Sequence, residues 1–173
     1  MICFLEIGVT TKMVSVSEKA LKKYTEISMD VARPELHCKL MKFFERRYSI
    51  VELLDWLHTK MTWTKEDIVR HNEPLEIIDF GKGRCGEYSI LFTAICLAHK
   101  YRARLILDMS DHVWTEIWDN SQRRWIHVDP SEKKVDDPLM YERDWKKNLT
   151  EIYALEKGNV ENVTKNYKKP LTN

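Results

Sequence analysis

The sequence predicts an α+β domain, in which several helices come first and an antiparallel sheet follows them. Up to about residue 100 the apolar residues recur at helical spacing, whereas three later segments alternate between apolar and polar residues. The chain has 173 residues, which is the size of one domain and long enough to bury a core. Because it has only five glycines and no low-complexity linker, we expect a single domain over residues 18–167, with a lead-in at 1–17 and a tail at 168–173.

Four helices are expected in the first hundred residues. Ser17 is a suitable N-cap for a helix over residues 18–31, and Pro34 suits the first turn of a second helix. Ser49 and Glu52 have the spacing of a capping box at the start of a third helix. The positions expected to face the core in the second and third helices are Leu36, Leu40, Phe43, Phe44, Ile50, Leu53, Leu54, Leu57 and Met61.

Residues 71–84 are interpreted as an irregular loop because they contain Pro74, Gly81 and Gly83. A fourth helix is expected over residues 85–100. Its apolar face consists of Ile90, Leu91, Ala94, Ile95 and Ala98.

The sheet is expected from segments in which apolar and polar residues alternate. These are residues 102–109, 112–118 and 123–129, and an apolar piece at 152–155 could add another strand. Ala103, Leu105 and Leu107 of the first segment share one face. Between the second and third segments, residues 119–122 (DNSQ) have the composition of a four-residue hairpin turn.

Composition and charge argue against several classes of function. Hydrophobic residues are 43% and charged residues 32%, as in ordinary globular proteins. The 28 Lys and Arg against 27 Asp and Glu leave a net charge of +1, which weighs against a nucleic-acid partner. No apolar run approaches the ~20 residues of a membrane span, and residues 1–9 lack the basic start of a signal peptide. We therefore expect no membrane partner and a cytoplasmic location.

The four cysteines, at positions 3, 38, 85 and 96, contain no C-x-x-C pair. A zinc ribbon and a thioredoxin motif are therefore not expected, and free thiols in a reducing compartment are favoured over disulfides. We expect no metal and no cofactor.

One cysteine stands where a glycine-containing loop enters the fourth helix, in the segment 81–88 (GKGRCGEY). Unpaired N–H groups and the positive end of the helix dipole favour an anion there, and the neighbouring Arg84 adds positive charge. We therefore expect the thiolate of Cys85 to be stabilised, as in reactive cysteines. A small buried cysteine at a helix start is the alternative interpretation.

The predicted hairpin brings a histidine and an aspartate together. If Trp118 pairs with Arg123 across the turn, His112 lies directly opposite Asp129, with Cβ atoms about 5 Å apart. A carboxylate at that distance can accept a hydrogen bond from an imidazole. The pair could also be a satisfied structural contact with no chemical role.

Cysteine, histidine and acid together make the arrangement used in acyl transfer. In this interpretation the thiolate of Cys85 attacks an amide carbonyl, and His112 passes a proton to the leaving nitrogen. Asp129 orients the imidazole and stabilises its cation. The backbone N–H of Cys85 could form one half of an oxyanion hole.

Several strings in one order carry a family resemblance. They are GRCGE at 83–87, DHVWTE at 111–116, RWIHVD at 124–129, PLMYE at 138–142, WKK at 145–147, and Val163, Thr164 and Tyr167. In these strings the chain resembles the transglutaminase-like superfamily and, within it, the cytoplasmic peptide N-glycanases, amidases that remove N-linked glycans from misfolded glycoproteins. The resemblance covers roughly residues 75–167, and more loosely 36–167, and implies a papain- or transglutaminase-like cysteine-enzyme core.

The resemblance also implies roles for individual residues. Cys85, His112 and Asp129 match the catalytic triad of the family. The positions that match residues lining its cleft for the inner chitobiose of the glycan are Arg104, Trp114, Glu116, Trp125 and Glu132. Indole rings stack on sugar faces, and Arg and Glu side chains hydrogen-bond hydroxyl and acetamido groups. The two tryptophans could alternatively be core aromatics.

The chain departs from the family pattern in two places. Peptide N-glycanases of this kind carry two C-x-x-C pairs that bind a structural zinc ahead of the catalytic cysteine, and this chain has neither. Tyr88 stands three residues after the cysteine, where the family usually has Trp. For the oxyanion hole, Trp63 is the side-chain candidate.

Three hypotheses remain open. The leading one is a peptide N-glycanase-like amidase, acting as a monomer on misfolded or denatured N-glycoproteins. The second is a transglutaminase-like peptidase or acyltransferase on the same scaffold, which the missing zinc pairs favour. The third is a non-catalytic binding module, since some members of the superfamily, DNA-repair damage sensors among them, keep the fold without the triad.

Overall fold

The computed structural model describes residues 15–169 of the chain. The helices within this range are α1 (Val16–Asp30), α2 (Pro34–Leu40), α3 (Ile50–Lys60), α4 (Pro74–Phe80), α5 (Cys85–Ala98) and α6 (Met140–Arg143). The strands are β1 (Thr62–Trp63), β2 (Lys82–Gly83), β3 (Ala103–Asp108), β4 (His112–Asp119), β5 (Arg124–Asp129), β6 (Lys134–Val135), β7 (Ile152–Glu156) and β8 (Asn159–Asn162). Of the expected domain limits, most of the lead-in and the end of the tail lie outside the described residues.

The main sheet has six strands in the order β6-β5-β4-β3-β7-β8, and every neighbouring pair is antiparallel. The α+β class with helices before an antiparallel sheet is confirmed. Strands β1 and β2 form a separate parallel pair just before α5. None of the helices in the described range is long and apolar enough to cross a bilayer.

The capping predictions had two outcomes. Ser49 caps α3 as expected, and Glu52 reaches back to its N–H at 2.8 Å. The prediction that Ser17 caps the first helix is wrong, because the capping box joins Ser15 to Glu18 and starts α1 at Val16. The first helix therefore begins inside the segment interpreted as a lead-in.

The prediction of an irregular loop over residues 71–84 is also wrong. Pro74 occupies the first turn of α4, where its missing N–H has no cost, and Gly81 ends the helix with a φ of 69°. Proline and glycine, which suggested a loop, instead start and end a seven-residue helix in this segment. Its end leads directly into β2 and α5.

The sheet packs a different core on each of its faces. On one face, Leu105, Leu107 and Val113 join the large core formed with helices α1–α5. On the other, Ile106, Trp114, Ile152 and residues of 140–167 form a second, aromatic core. The predicted core positions are buried or partly buried, except Phe43, which is 43% exposed in a short turn after α2.

Helix α5 is buried on nearly all sides, so it serves as the central axis of the large core. Two side-chain hydrogen bonds fasten it to β4. The Ser89 hydroxyl donates to the Val113 carbonyl at 2.8 Å, and the hydroxyls of Thr93 and Thr115 are 2.9 Å apart. These contacts fix where the N-terminus of α5 lies relative to the start of β4.

The hairpin register differs from the prediction by two residues. Trp118 pairs with Trp125 rather than with Arg123, and the last pair is Asp119 with Arg124. The turn still has four residues, but Asp119 organises it by accepting hydrogen bonds from the N–H groups of Ser121 and Gln122. Because side chains alternate with a period of two, a shift of two leaves every residue on its predicted face.

Candidate active site

Cys85 is the first residue of α5, at the entrance from β2, and its side chain is partly exposed. The preceding residue, Arg84, caps the helix through its N–H, which donates to the Glu87 carboxylate at 3.0 Å. The Arg84 guanidinium donates to the carbonyls of Lys65 and Glu66. It therefore holds the preceding loop against the start of α5, and Arg84 also lines the cleft at Cys85.

His112 begins β4 and connects the cysteine to the aspartate. Its Nε2 lies 2.7 Å from Oδ2 of Asp129, and its ring is within hydrogen-bonding reach of the Cys85 side chain. The predicted side-by-side placement of His112 and Asp129 is therefore observed, although the two are offset along the ladder and not directly opposed. Cys85 and His112 line the same cleft, and Asp129 binds His112; we refer to these three residues as the Cys85–His112–Asp129 chain.

The surroundings of His112 favour its cationic form. Burial lowers its pKa, but the hydrogen bonds to Asp129 and Cys85 outweigh burial and raise the pKa to about 9. Burial raises the pKa of Asp129, yet His112 and the donors from Ser131 and Glu132 lower it overall. The imidazole is therefore held as a cation next to an ionised carboxylate.

Asp129 is itself held by a network of donors. Its Oδ1 accepts from the Ser131 N–H and hydroxyl and from the Glu132 N–H, at 2.8–3.1 Å. Its Oδ2 accepts from the Tyr141 hydroxyl at 2.9 Å as well as from His112. This leaves the carboxylate a single orientation.

Tyr141 links Asp129 to a second buried histidine. The Tyr141 hydroxyl lies 2.7 Å from Nε2 of His127, and Nδ1 of His127 accepts from the Asp137 N–H at 3.3 Å. Burial lowers the pKa of His127 to about 4, so this ring is neutral and donates to Tyr141 through Nε2. The Tyr141 proton is then directed at Asp129. Both residues lie in strings that carry the family resemblance, but the sequence analysis gave neither of them a role.

A cleft of about 400 Å³ opens at the nucleophile, and we call it the nucleophile cleft. It is lined by Cys85, Gly86 and His112 and also, from α1, by Lys23 and Tyr24. The participation of α1 was not predicted, because nothing in the sequence relates this helix to the catalytic motifs.

The residues expected to bind substrate form a buried ladder on the aromatic face of the sheet. Arg104 and Glu116 are cross-strand partners, with Nε and Oε2 2.7 Å apart. The Tyr167 hydroxyl donates to the other Glu116 oxygen at 2.6 Å and accepts from the Trp114 indole at 2.8 Å. Trp114 is 0% exposed and stacks on Tyr141 at a centroid distance of 4.6 Å. Its faces are not available to a sugar in this structure, so the stacking expected of Trp114 is corrected to a core role.

Trp125 and Glu132 remain accessible. Trp125 is half-buried, and the Arg104 guanidinium lies 4.0 Å from its ring centroid. Together with Glu116 it lines a second cleft, of about 450 Å³. Glu132 has an exposed side chain directly after the Asp129 turn. These two side chains are accessible, whereas Arg104 and Glu116 are buried.

The matching family model is that of the transglutaminase-like superfamily, which covers residues 44–130 and so half of the chain. This protein belongs to the transglutaminase-like superfamily.

Curated relatives confirm the more specific resemblance to peptide N-glycanases. The chain is 47% identical over 100 residues to the peptide-N(4)-(N-acetyl-beta-glucosaminyl)asparagine amidase of Arabidopsis thaliana, covering 58% of this chain and 14% of that protein. The amidases of the same name from Oryza sativa subsp. japonica and Homo sapiens are 47% identical over 95 residues and 43% identical over 98 residues. Those matches cover 55% and 57% of this chain, and 21% and 15% of the relatives. The matched part is thus a small fraction of each relative.

Solved structures with the same fold are more distant. A chain of the Rad4–Rad23 complex crosslinked to an undamaged DNA superposes with a TM-score of 0.65 at 14% identity, covering 87% of this chain and 46% of that one. A chain from a study of β-hairpin motifs in DNA duplex opening by the Rad4/XPC nucleotide excision repair complex gives 0.62 at 14% identity, covering 87% and 48%. At this identity the likeness concerns the fold alone.

The resemblance to peptide N-glycanases implies a structural zinc held by two C-x-x-C pairs, and this sequence contains neither pair. Among residues 15–169 no group of three or more His, Cys, Asp or Glu side chains is arranged to hold a metal ion. The residues present therefore do not fit a structural zinc ion, and no step of the chemistry is assigned to a metal.

Two tryptophans near the site differ from the sequence-based view. Trp63 pairs with Gly83 in the strand before α5, is 46% exposed, and does not line the nucleophile cleft. Trp145 was noted only as part of a matching string. Its ring is 41% exposed and packs edge-on against His112 at 4.9 Å between centroids. Of the two, Trp145 is the one that lies beside the imidazole.

Proposed function

We propose that this protein is a cysteine amidase that cleaves the amide bond between an N-linked glycan and its asparagine. The observation that carries the proposal is the Cys85–His112–Asp129 chain, with Cys85 at a helix start and a 2.7 Å imidazole–carboxylate contact. The identity of 43–47% to curated amidases supports the choice of bond. The substrate class is misfolded or denatured N-glycoproteins.

The reaction divides into two halves. In the first, the Cys85 sulfur forms a bond to the asparagine side-chain carbonyl carbon, and the electron pair moves onto oxygen. When the carbon–nitrogen bond breaks, His112 gives its proton to the departing nitrogen, which leaves as a glycosylamine. In the second, His112 takes a proton from water, which attacks the thioester, releases an aspartate and restores the sulfur.

Each member of the chain has a separate task. The helix start lowers the free energy of negative charge at the sulfur and at the nearby oxyanion. Asp129 keeps the imidazole in one orientation and stabilises its cation, and the protons donated by Tyr141 and Ser131 keep Asp129 ionised. No proton passes to Asp129.

The alternative is a transglutaminase-like peptidase or acyltransferase that uses the same three residues. One observation favours it: Arg104, Trp114 and Glu116 satisfy one another in the interior, so fewer side chains are free to hold a sugar. The substrate would then be a glutamine side chain or a peptide bond.

A comparison of substrates separates the two proposals. The protein is incubated with a denatured N-glycopeptide, with the same peptide without glycan, and with a glutamine peptide plus a primary amine. We expect release of the glycan with conversion of Asn to Asp, and no change in the other two peptides. Cleavage, deamidation or amine incorporation in the glycan-free peptides, with an intact glycopeptide, would replace the glycanase proposal by the alternative.

A further inference from the structure

Helix α1 brings a tyrosine hydroxyl to the nucleophile. Tyr24 lies in the middle of α1 and lines the nucleophile cleft together with Cys85 and His112. The residues matched by the family model begin at 44, so that match does not include α1.

The close approach of Tyr24 explains why residue 86 is a glycine. A Cβ at Gly86 would lie 2.8 Å from the Tyr24 hydroxyl and 3.2 Å from the Arg70 guanidinium. Only a residue without a side chain leaves room for the hydroxyl against the first turn of α5. The hydroxyl is thus placed next to the unpaired N–H groups at the helix start.

The hydroxyl of Tyr24 is a neutral hydrogen-bond donor. Burial, and after it the nearby Cys85 sulfur, raise the pKa of Tyr24, so the O–H group keeps its proton at any working pH. It lies against Gly86, the residue that follows the nucleophile, in the cleft that Cys85 also lines.

We propose that the Tyr24 hydroxyl is the side-chain donor of the oxyanion hole and complements the backbone N–H of Cys85. When the sulfur adds to the carbonyl carbon, the oxygen takes the negative charge and accepts the Tyr24 proton in a hydrogen bond. The bond is made to the charged oxygen, so it stabilises the transition state more than the ground state. The proposal rests on the proposed use of Cys85 as nucleophile, and it assigns to Tyr24 the role that the sequence suggested for Trp63.

The test uses a substrate that does not depend on the glycan. p-Nitrophenyl acetate acylates a reactive cysteine through a tetrahedral oxyanion, and the burst of nitrophenol gives the acylation rate. Alkylation of Cys85 by iodoacetamide forms no oxyanion and reports the reactivity of the sulfur alone. Both rates are measured for the wild-type protein, for Tyr24→Phe, and for the control Tyr48→Phe, which removes a hydroxyl remote from the cleft.

We expect Tyr24→Phe to slow the burst by roughly 10- to 1000-fold while the alkylation rate and the melting temperature stay the same. Tyr48→Phe should change neither rate. An unchanged burst in Tyr24→Phe would overturn the proposal, and so would an equal loss in burst and alkylation, which would make Tyr24 a support of the thiolate. If the wild-type protein shows a burst but leaves glycopeptides intact, the glycanase function fails while the role of Tyr24 is still tested.

A second variant guards against a folding defect in Tyr24→Phe. In Gly86→Ala the added methyl group displaces the Tyr24 hydroxyl, so the burst should slow in the same way. Because both substitutions remove one interaction, the double variant should be no slower than the slower single variant. If the burst of the double variant slowed by the product of the two single-variant factors, the two substitutions would not act on the same interaction.

Discussion

The imidazole of His112 is the group on which the proposed chemistry depends most. It lies between the Cys85 sulfur and the Asp129 carboxylate, and these two partners raise its pKa to about 9 from 6.5. A cation that persists to pH 9 can donate a proton to the leaving nitrogen throughout the neutral range. Its pKa therefore sets the alkaline limit of activity.

We expect the kcat/KM of the wild-type protein to fall above about pH 9, where His112 loses its proton. In Asp129→Asn the main contact that raises this pKa is lost, so the alkaline limb should move to lower pH and the rate should fall by roughly 10²–10⁴-fold. A pH–rate profile of both proteins checks this. An alkaline limb that stays in place in Asp129→Asn would contradict the account.

The same shift has a consequence for folding. Because the folded-state pKa of His112 is raised, the stability contributed by its charge is fully present below pH 6.5 and is lost as the pH rises through about 9. His127 behaves oppositely, since its pKa is lowered to about 4 and folding disfavours its cation. The two histidines of the β4–β5 hairpin thus favour folding most near pH 6.5, and stability falls toward pH 9 through His112 and toward pH 4 through His127.

Tyr141 is expected to act on the rate through Asp129. In Tyr141→Phe the ring still stacks on Trp114, but Asp129 loses one donor and His127 loses its acceptor. We expect a loss of about 1–3 kcal/mol in the free energy of unfolding and a roughly tenfold lower kcat. The acid limb of the pH–rate profile should move to higher pH, because the ionised Asp129 carboxylate is less stabilised.

The matched control for this variant is Tyr101→Phe. It removes a hydroxyl that donates to the Tyr48 carbonyl at 3.0 Å, away from the nucleophile cleft. It should lower stability and leave the pH–rate profile unchanged. A Tyr141→Phe protein with an unchanged profile would reduce Tyr141 to a packing role.

At the scale of elements, α5 and β4 determine whether the sulfur meets the imidazole. Their relative position is held by the buried pair Thr93–Thr115 and by Ser89. In Thr93→Val the hydroxyl of Thr115 loses its best partner, and we expect a loss of about 1–3 kcal/mol in the free energy of unfolding, measured by urea denaturation.

The double variant Thr93→Val with Thr115→Val separates hydrogen bonding from packing. Both polar groups are then replaced by groups of the same shape, so stability should return toward the wild-type value. Independent, additive losses in the two single variants would show that the hydroxyls do not act as a pair.

The hairpin shows which part of an element is predictable from sequence. Alternation placed His112 and Asp129 on one face correctly, because a strand has a period of two. The register was off by two because the turn is set by the backbone donors that bind Asp119, which composition alone does not identify. The predicted loop over residues 71–84 failed for a related reason, since proline and glycine mark the two ends of α4 as well as loops.

For the molecule as a whole, the α+β class and the central helix follow from periodicity. The cleft does not, because part of its lining comes from α1, about sixty residues before Cys85, and long-range placement leaves no pattern in the sequence. The burial of the residues expected to bind substrate could not be predicted from the sequence either. Trp114 alternates on the correct face but is covered by Tyr141 and Tyr167, which arrive from the last thirty-odd residues.

The central claim is that Cys85 of this chain hydrolyses the bond between a glycan and asparagine. The most direct measurement is mass spectrometry of a denatured N-glycopeptide after incubation in ¹⁸O-labelled water with the wild-type protein, with Cys85→Ala, and with the matched control Cys38→Ala, whose cysteine lies exposed on α2. We expect the wild-type and Cys38→Ala proteins to release the glycan and leave an aspartate carrying one ¹⁸O atom, while Cys85→Ala leaves the glycopeptide intact. Release of the glycan by Cys85→Ala at the wild-type rate, or an intact glycopeptide with the wild-type protein, would contradict the claim.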